Sequence, residues 1–160
     1  MKIFKTFLNL LPEKIAYAHC DIPCGIYDPY VAQRAAHTIL RMTQLLTELE
    51  ENPSKEMAHK VARMTHVKEE HTDILEEELE TLRNDYFKEE HFKAYPNLNS
   101  LFINALKSAA KARQEINMDA ANETLAGVQG IAEIFFKTKN VTPIRVKSVY
   151  PTGGEIILHK

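Results

Sequence analysis

A chain of 160 residues, 44% of them hydrophobic, fits a single domain with enough apolar material to bury a core. Twenty Lys and Arg against 22 Asp and Glu leave a net charge of −2, so no global basic field exists to hold nucleic acid or an anionic membrane surface. Charge or proline interrupts every apolar run well before the ~20 residues of a membrane helix, two cysteines are too few for a disulfide scaffold, and a soluble, largely helical domain is expected.

The first 18 residues start with Lys2 and Lys5, contain Phe7-Leu8-Asn9-Leu10-Leu11 and finish in Ala16-Tyr17-Ala18. The outline is that of a signal peptide, but Pro12-Glu13-Lys14 breaks the apolar stretch before the small-residue end. A cytoplasmic pro-segment over 1–18 is the expectation, with secretion as the alternative.

Past a short cysteine-bearing stretch, apolar residues recur at helical spacing from Asp28 to Glu51: Val31, Ala35, Ile39, Met42, Leu45, Leu46 and Leu49. Asp28 is a suitable N-cap, Pro29 suits the first helical position, and Asn52-Pro53 ends the pattern. A second, long amphipathic helix is carried by Met57, Val61, Met64, His71, Leu75, Leu79 and Leu82, with a polar gap at Lys68. From Asn84 to Pro96 the period is lost, and Tyr86, Phe87, His91, Phe92 and Tyr95 suggest an ordered connection anchored by rings. A third helix carries Leu98, Leu101, Phe102, Ala105, Ala109, Ala112 and Ile116, and a fourth, capped by Asp119, carries Ala121, Leu125, Val128, Ile131, Ala132 and Phe135. The predicted fold is all-α, an antiparallel four-helix bundle over 28–140. The tail 141–160 reads as a small hairpin, Lys147-Ser148-Val149-Tyr150 and Glu155-Ile156-Ile157-Leu158 flanking Pro151-Thr152-Gly153-Gly154. Two strands alone are marginal in water, so the hairpin needs a surface to pack on.

The chemistry concentrates in His19-Cys20-Asp21-Ile22-Pro23-Cys24-Gly25-Ile26-Tyr27-Asp28-Pro29. Two thiols and an imidazole within six residues can close around one metal, and soft thiolates beside nitrogen suit zinc, copper or nickel better than magnesium or calcium. Pro23 restricts and Gly25 frees the backbone of what would be a tight hook over 19–27. On spacing alone, a disulfide or two unrelated thiols are equally good readings. Structural zinc would need a second ligand pair that has no matching spacing here.

This stretch resembles the nickel-binding hook of the nickel-containing superoxide dismutase family, in precursor form. Asn84-Asp85-Tyr86-Phe87-Lys88, His91-Phe92, Tyr95-Pro96 and Phe135-Phe136-Lys137-Thr138-Lys139 are similar to the later part of that family, so the resemblance covers roughly residues 19–140. It implies cleavage between Ala18 and His19 by a maturation protease, and one nickel ion per subunit. The ion would be held by the amine and imidazole of His19, the backbone amide nitrogen of Cys20, and the thiolates of Cys20 and Cys24. The activity implied is dismutation of superoxide to dioxygen and hydrogen peroxide through nickel(II) and nickel(III), with His19 as axial ligand of the oxidised state. Tyr27 would gate the vacant face, Tyr86 would stand behind it, and Asp21 would shape the hook through its backbone amide. A homohexamer is implied as well. Ala35 stands where the family carries a glutamate early in the first helix, so the partner of the His19 imidazole is expected from His71 or from a neighbouring subunit.

Three rivals come from other classes. A metal carrier or sensor would bind through the same hook without turnover. A ferritin-like di-iron bundle would need two Glu-x-x-His pairs, and only Glu56-Met57-Ala58-His59 has that spacing. In a helical interaction module, Cys20 and Cys24 would be incidental.

Overall fold

The computed structural model describes residues 24–50 and 53–160; the expected leader and the hook residues His19, Cys20 and Asp21 lie outside them. Helix α1 runs Tyr30–Thr47, with Pro29 at its N-cap. The Asp28 carboxylate accepts from the Tyr30 N–H at 2.8 Å, so Asp28, expected as the cap, serves the first turn from one residue outside the observed N-cap, Pro29. Helix α2 (Lys55–Thr81) opens on Ser54, whose hydroxyl accepts from the Met57 N–H at 3.0 Å. It passes into a π turn, Leu82–Tyr86, closed by the Phe87 N–H on the Leu82 carbonyl at 2.9 Å.

The ordered connection contains a short helix, α3 (Glu89–Ala94), in which the Lys88 N–H donates to His91 Nδ1 at 3.0 Å. Helix α4 (Leu98–Gln114) stops before Ile116, which is 59% exposed and not part of the stripe. Helix α5 (Met118–Thr138) is capped by Asn117, whose side chain accepts from the Ala120 N–H at 2.9 Å; Asp119 falls inside the first turn, where its charge favours the helix dipole.

The four long helices pack as neighbours in the order α2, α1, α5, α4, with α2 touching α4 to complete the bundle. Phe102, Ile39, Leu75, Leu79, Leu82, Leu98 and Ile131 are fully buried, each contributing about 1.5–3 kcal/mol by leaving water. Alanines let the helices approach: a Cβ on Gly127 of α5 would meet the Ala105 Cβ of α4 at 2.9 Å, too close for any side chain there. Buried Thr43, Thr72 and Thr124 return their hydroxyls to the carbonyls four residues back, at 2.8 Å each.

Two readings of α2 change. Lys68 is no gap: it is 2% exposed, and its Nζ donates to the Glu115 carbonyl at the C-terminus of α4 at 2.8 Å. Burial pushes its pKa down. Conversely, Met57, Val61 and Met64 lie on the half of α2 in which no residue before Lys68 is buried, so the apolar stripe runs on beyond the bundle core. No helix among the described residues is long and apolar enough to cross a membrane.

Strands β1 (Pro143–Lys147) and β2 (Glu155–His159) pair antiparallel, Val146 opposite Ile156 and Ile144 opposite Leu158. The first strand thus ends where it was expected to begin, and 148–154 form the loop, held by the Ser148 N–H on the Gly154 carbonyl at 2.9 Å. Pro151 and the left-handed Gly153 and Gly154 explain why pairing cannot start nearer the turn. The hairpin docks on α1 and α5. Gln33 Nε2 donates to the Ile157 carbonyl at 3.0 Å and its Oε1 accepts from the Ile157 N–H at 2.6 Å, while Ile157 itself is 0% exposed. Gln129 Nε2 donates to the Glu155 carbonyl at 2.5 Å, and Arg145 reaches Glu133 at 2.7 Å. His37 Nε2 faces the same Glu155 carbonyl at 3.2 Å; a carbonyl only accepts, so Nε2 carries the hydrogen and Nδ1 accepts from the Thr152 hydroxyl at 2.8 Å.

Burial pushes the His37 pKa down, against a smaller opposing effect of the Glu155 carbonyl. An unfolded chain therefore takes up this proton first. The docked hairpin has its full stability above about pH 6.5 and loses it progressively as pH falls through the lowered folded value. Thermal unfolding at pH 7.5 and 5.5 should show a drop in midpoint on acidification that is smaller in His37→Gln than in the unmodified chain.

Candidate metal centre

The described part of the hook begins at Cys24, whose side chain is exposed. The Ile26 N–H donates to Cys24 Sγ at 3.4 Å. Between them Gly25 takes a φ of +71° in open space, so its backbone conformation, not crowding, calls for glycine. Ile26 faces outward, 74% exposed. The chain then turns inward, and the Tyr27 ring lies 5.5 Å from the Tyr86 ring at a tilt of 49°, packed against the core.

Tyr86 sits at the end of the π turn and is surrounded by rings, with Phe135 at 4.6 Å, Phe87 at 5.0 Å and His91 at 5.8 Å. Its oxygen lies 2.7 Å from Thr138 Oγ1, and Thr138 gives its own hydrogen to the Phe135 carbonyl at 2.7 Å. The phenol must therefore be the donor. Lys139 Nζ stands 4.7 Å from the centre of the Tyr86 ring, a cation–π contact. Burial raises the Tyr86 pKa, with the Thr138 bond opposing, and the phenol stays protonated at neutral pH.

The residues expected in the site are thus placed unevenly. Tyr27 and Tyr86 meet, with Cys24 three residues before Tyr27 at the surface. His71 is fifteen residues before Tyr86 on α2, about 22 Å along the axis at an α-helical rise, and its Nδ1 donates to the Val67 carbonyl at 2.9 Å. Ala35 is buried, 1% exposed, with no polar side-chain atom to offer. Thr138, Lys139 and His91 around Tyr86 had no assigned role, although all three lie in the segments that carry the resemblance. An exposed sulfur with an amide donor, on a turn opened by glycine, fits a soft-metal ligand. Among the described residues, no three His, Cys, Asp or Glu side chains cluster as a metal site.

The family model described as nickel-containing superoxide dismutase matches residues 14–139. The chain belongs to the nickel-containing superoxide dismutase family. Its activity is nickel-dependent superoxide dismutation, and it is an oxidoreductase. It is 31% identical over 128 residues to the nickel superoxide dismutase of Streptomyces seoulensis, covering 80% of this chain and 93% of that protein. The Streptomyces coelicolor enzyme is 30% identical over the same length. Among solved structures, native nickel superoxide dismutase superposes with a TM-score of 0.68 at 30% identity, over 76% of this chain and 99% of the other. A structure with nickel ligated as in the oxidised state gives 0.69. The family match stops at Lys139, so the hairpin lies beyond the part shared with the superoxide dismutase family.

Tyr86→Phe keeps the ring cluster and removes one hydrogen bond, so urea unfolding should register a loss of about 0.5–1.5 kcal/mol. Tyr86→Ala, which also empties the cluster beside Tyr27, should lose clearly more in the same measurement.

Proposed function

We propose that dismutation takes place at a hook that becomes competent only when the chain is cut between Ala18 and His19. The observation that carries this reading is Cys24, an exposed sulfur receiving an amide hydrogen one short turn before Tyr27. In the proposed site the amine and imidazole of His19, the backbone amide nitrogen of Cys20 and the thiolates of Cys20 and Cys24 would hold one nickel ion per subunit. When bound, nickel would supply the one-electron redox chemistry that takes two superoxide anions and two protons to dioxygen and hydrogen peroxide. Before the cut the His19 nitrogen is a peptide amide; removal of 1–18 makes it a primary amine, a far better donor.

Tyr27 stands as the gate and hydrogen-bond donor to the incoming anion. Tyr86 serves by packing, since its hydroxyl hydrogen is spent on Thr138 and its ring holds that of Tyr27. The Lys139 charge over the Tyr86 ring adds a local attraction for an anionic substrate. Asp21 shapes the hook through its backbone amide. With no polar side-chain atom at Ala35 and His71 far along α2 from Tyr86, the second nitrogen of the His19 imidazole takes its partner from a neighbouring subunit. A maturation protease acting in the cytoplasm completes the reading.

Nickel(II) titration of two chains, one starting at Met1 and one at His19, tests the activation step. Thiolate-to-nickel absorption and superoxide removal should both appear only in the His19 chain; equal nickel binding without turnover in either would make the hook a carrier or sensor site.

A homohexamer is part of the same proposal, supported by the uncovered Met57 and Val61 stripe of α2. Light scattering on the cleaved, nickel-loaded protein should give six subunits, and a monomer would reject the assembly.

A further inference from the structure

Between α1 and the hairpin loop lies a cavity of about 170 Å³ that none of the described hook residues lines. Arg34, His37, Arg41 and Met42 line it from α1, and Tyr150 and Pro151 from the loop. Its walls are carbon for the most part, and its formal charge is all of one sign. Among the described residues no carboxylate lines it and no ion pair engages either guanidinium. Arg34 and Arg41 are seven residues apart, two helical turns, which sets them on one face about 10 Å from each other. Arg41 gives one hydrogen to Gln44 Oε1 at 3.3 Å and has others to offer.

His37, between the two arginines, is not a third cation. Both its ring nitrogens are committed to the hairpin, to Thr152 of the loop and Glu155 at the start of β2, and the Tyr150 ring stands edge-on to it at 5.0 Å. The cavity is therefore pre-formed: its loop side is pinned by His37, and the strand that follows by Gln33 and Gln129. A site ordered in advance spends little binding free energy on closing around its ligand.

From this juxtaposition of two unpaired arginines with an apolar slot, we propose that the cavity binds a small organic monocarboxylate. The apolar body of the ligand lies against Tyr150, Pro151 and Met42, and its carboxylate takes guanidinium hydrogens at the rim. An inorganic anion would leave the apolar walls uncovered, and a neutral molecule would leave the arginines unused. The volume is below the ~300–1,000 Å³ of drug-sized sites, which limits the ligand to one ring or a short chain. Because the hairpin lies beyond the family match, the loop side of the cavity is an addition to the matched bundle.

Benzoate is the probe. Calorimetric titration of the full chain should give saturable 1:1 binding, with the Tyr150 and Met42 NMR signals shifting. Arg34→Ala or Arg41→Ala should weaken benzoate by about tenfold or more, the worth of one charge-assisted hydrogen bond. Lys147→Ala, outside the cavity, should leave the affinity unchanged, and circular dichroism should show all three variants folded. The proposal fails if benzoate does not saturate, if inorganic phosphate binds as tightly, or if benzyl alcohol matches benzoate.

Discussion

The contact between the Tyr27 and Tyr86 rings is the joint on which the architecture turns. A hook of nine residues with a left-handed glycine has no core of its own, so whatever precision it has must be passed up from the bundle through its base. Tyr27 supplies the base by entering the aromatic cluster, and Tyr86 is held on three sides. The π turn sets it at the end of α2, Phe135 and Thr138 brace it from α5, and His91 stacks on it from α3. Pieces of the chain that are far apart in sequence thus converge under one ring. Their common effect is to give the last described residues of the hook a fixed platform.

Much of this was legible in the sequence, and the residues that misled show where legibility stops. Helical spacing of apolar residues located all four long helices, because burial on one face is a local, repeating requirement. The local motif around Cys24 and Tyr27 pointed to metal chemistry for the same reason: its residues are neighbours in the chain. Lys68 read as an interruption because its partner, the Glu115 carbonyl, exists only once α4 ends beside α2, 47 residues away. Asp119 and Asn117 are both good capping residues, and only the extended backbone at Asn117 decides between them. Ile116 has the right spacing for the third stripe, but the helix has already ended. The bond from Tyr86 to Thr138 spans 52 residues and has no sequence signal beyond the presence of both.

The hairpin carries its own solution to the problem of exposed strand edges. On the β2 side the Gln33 amide offers Ile157 a donor and an acceptor in the places a third strand would offer them, so an α-helical side chain completes the ladder. On the β1 side Pro143 lacks an N–H, and Arg145 and Lys147 bring charge, both of which discourage pairing with another chain. A two-stranded unit that is marginal alone becomes a fixed part of the molecule, at the cost of tying up polar residues of α1 that sit beside the core.

That attachment also bears on the order of assembly. Gln33 and Ile157 are 124 residues apart, so their pairing closes nearly the whole chain into one loop, and loop-closure entropy delays such contacts behind those between adjacent helices. During synthesis α1 is complete long before β2 exists, and the polar side chains of Gln33 and His37 remain hydrated until β2 has been made. The hairpin is then the last piece to lock.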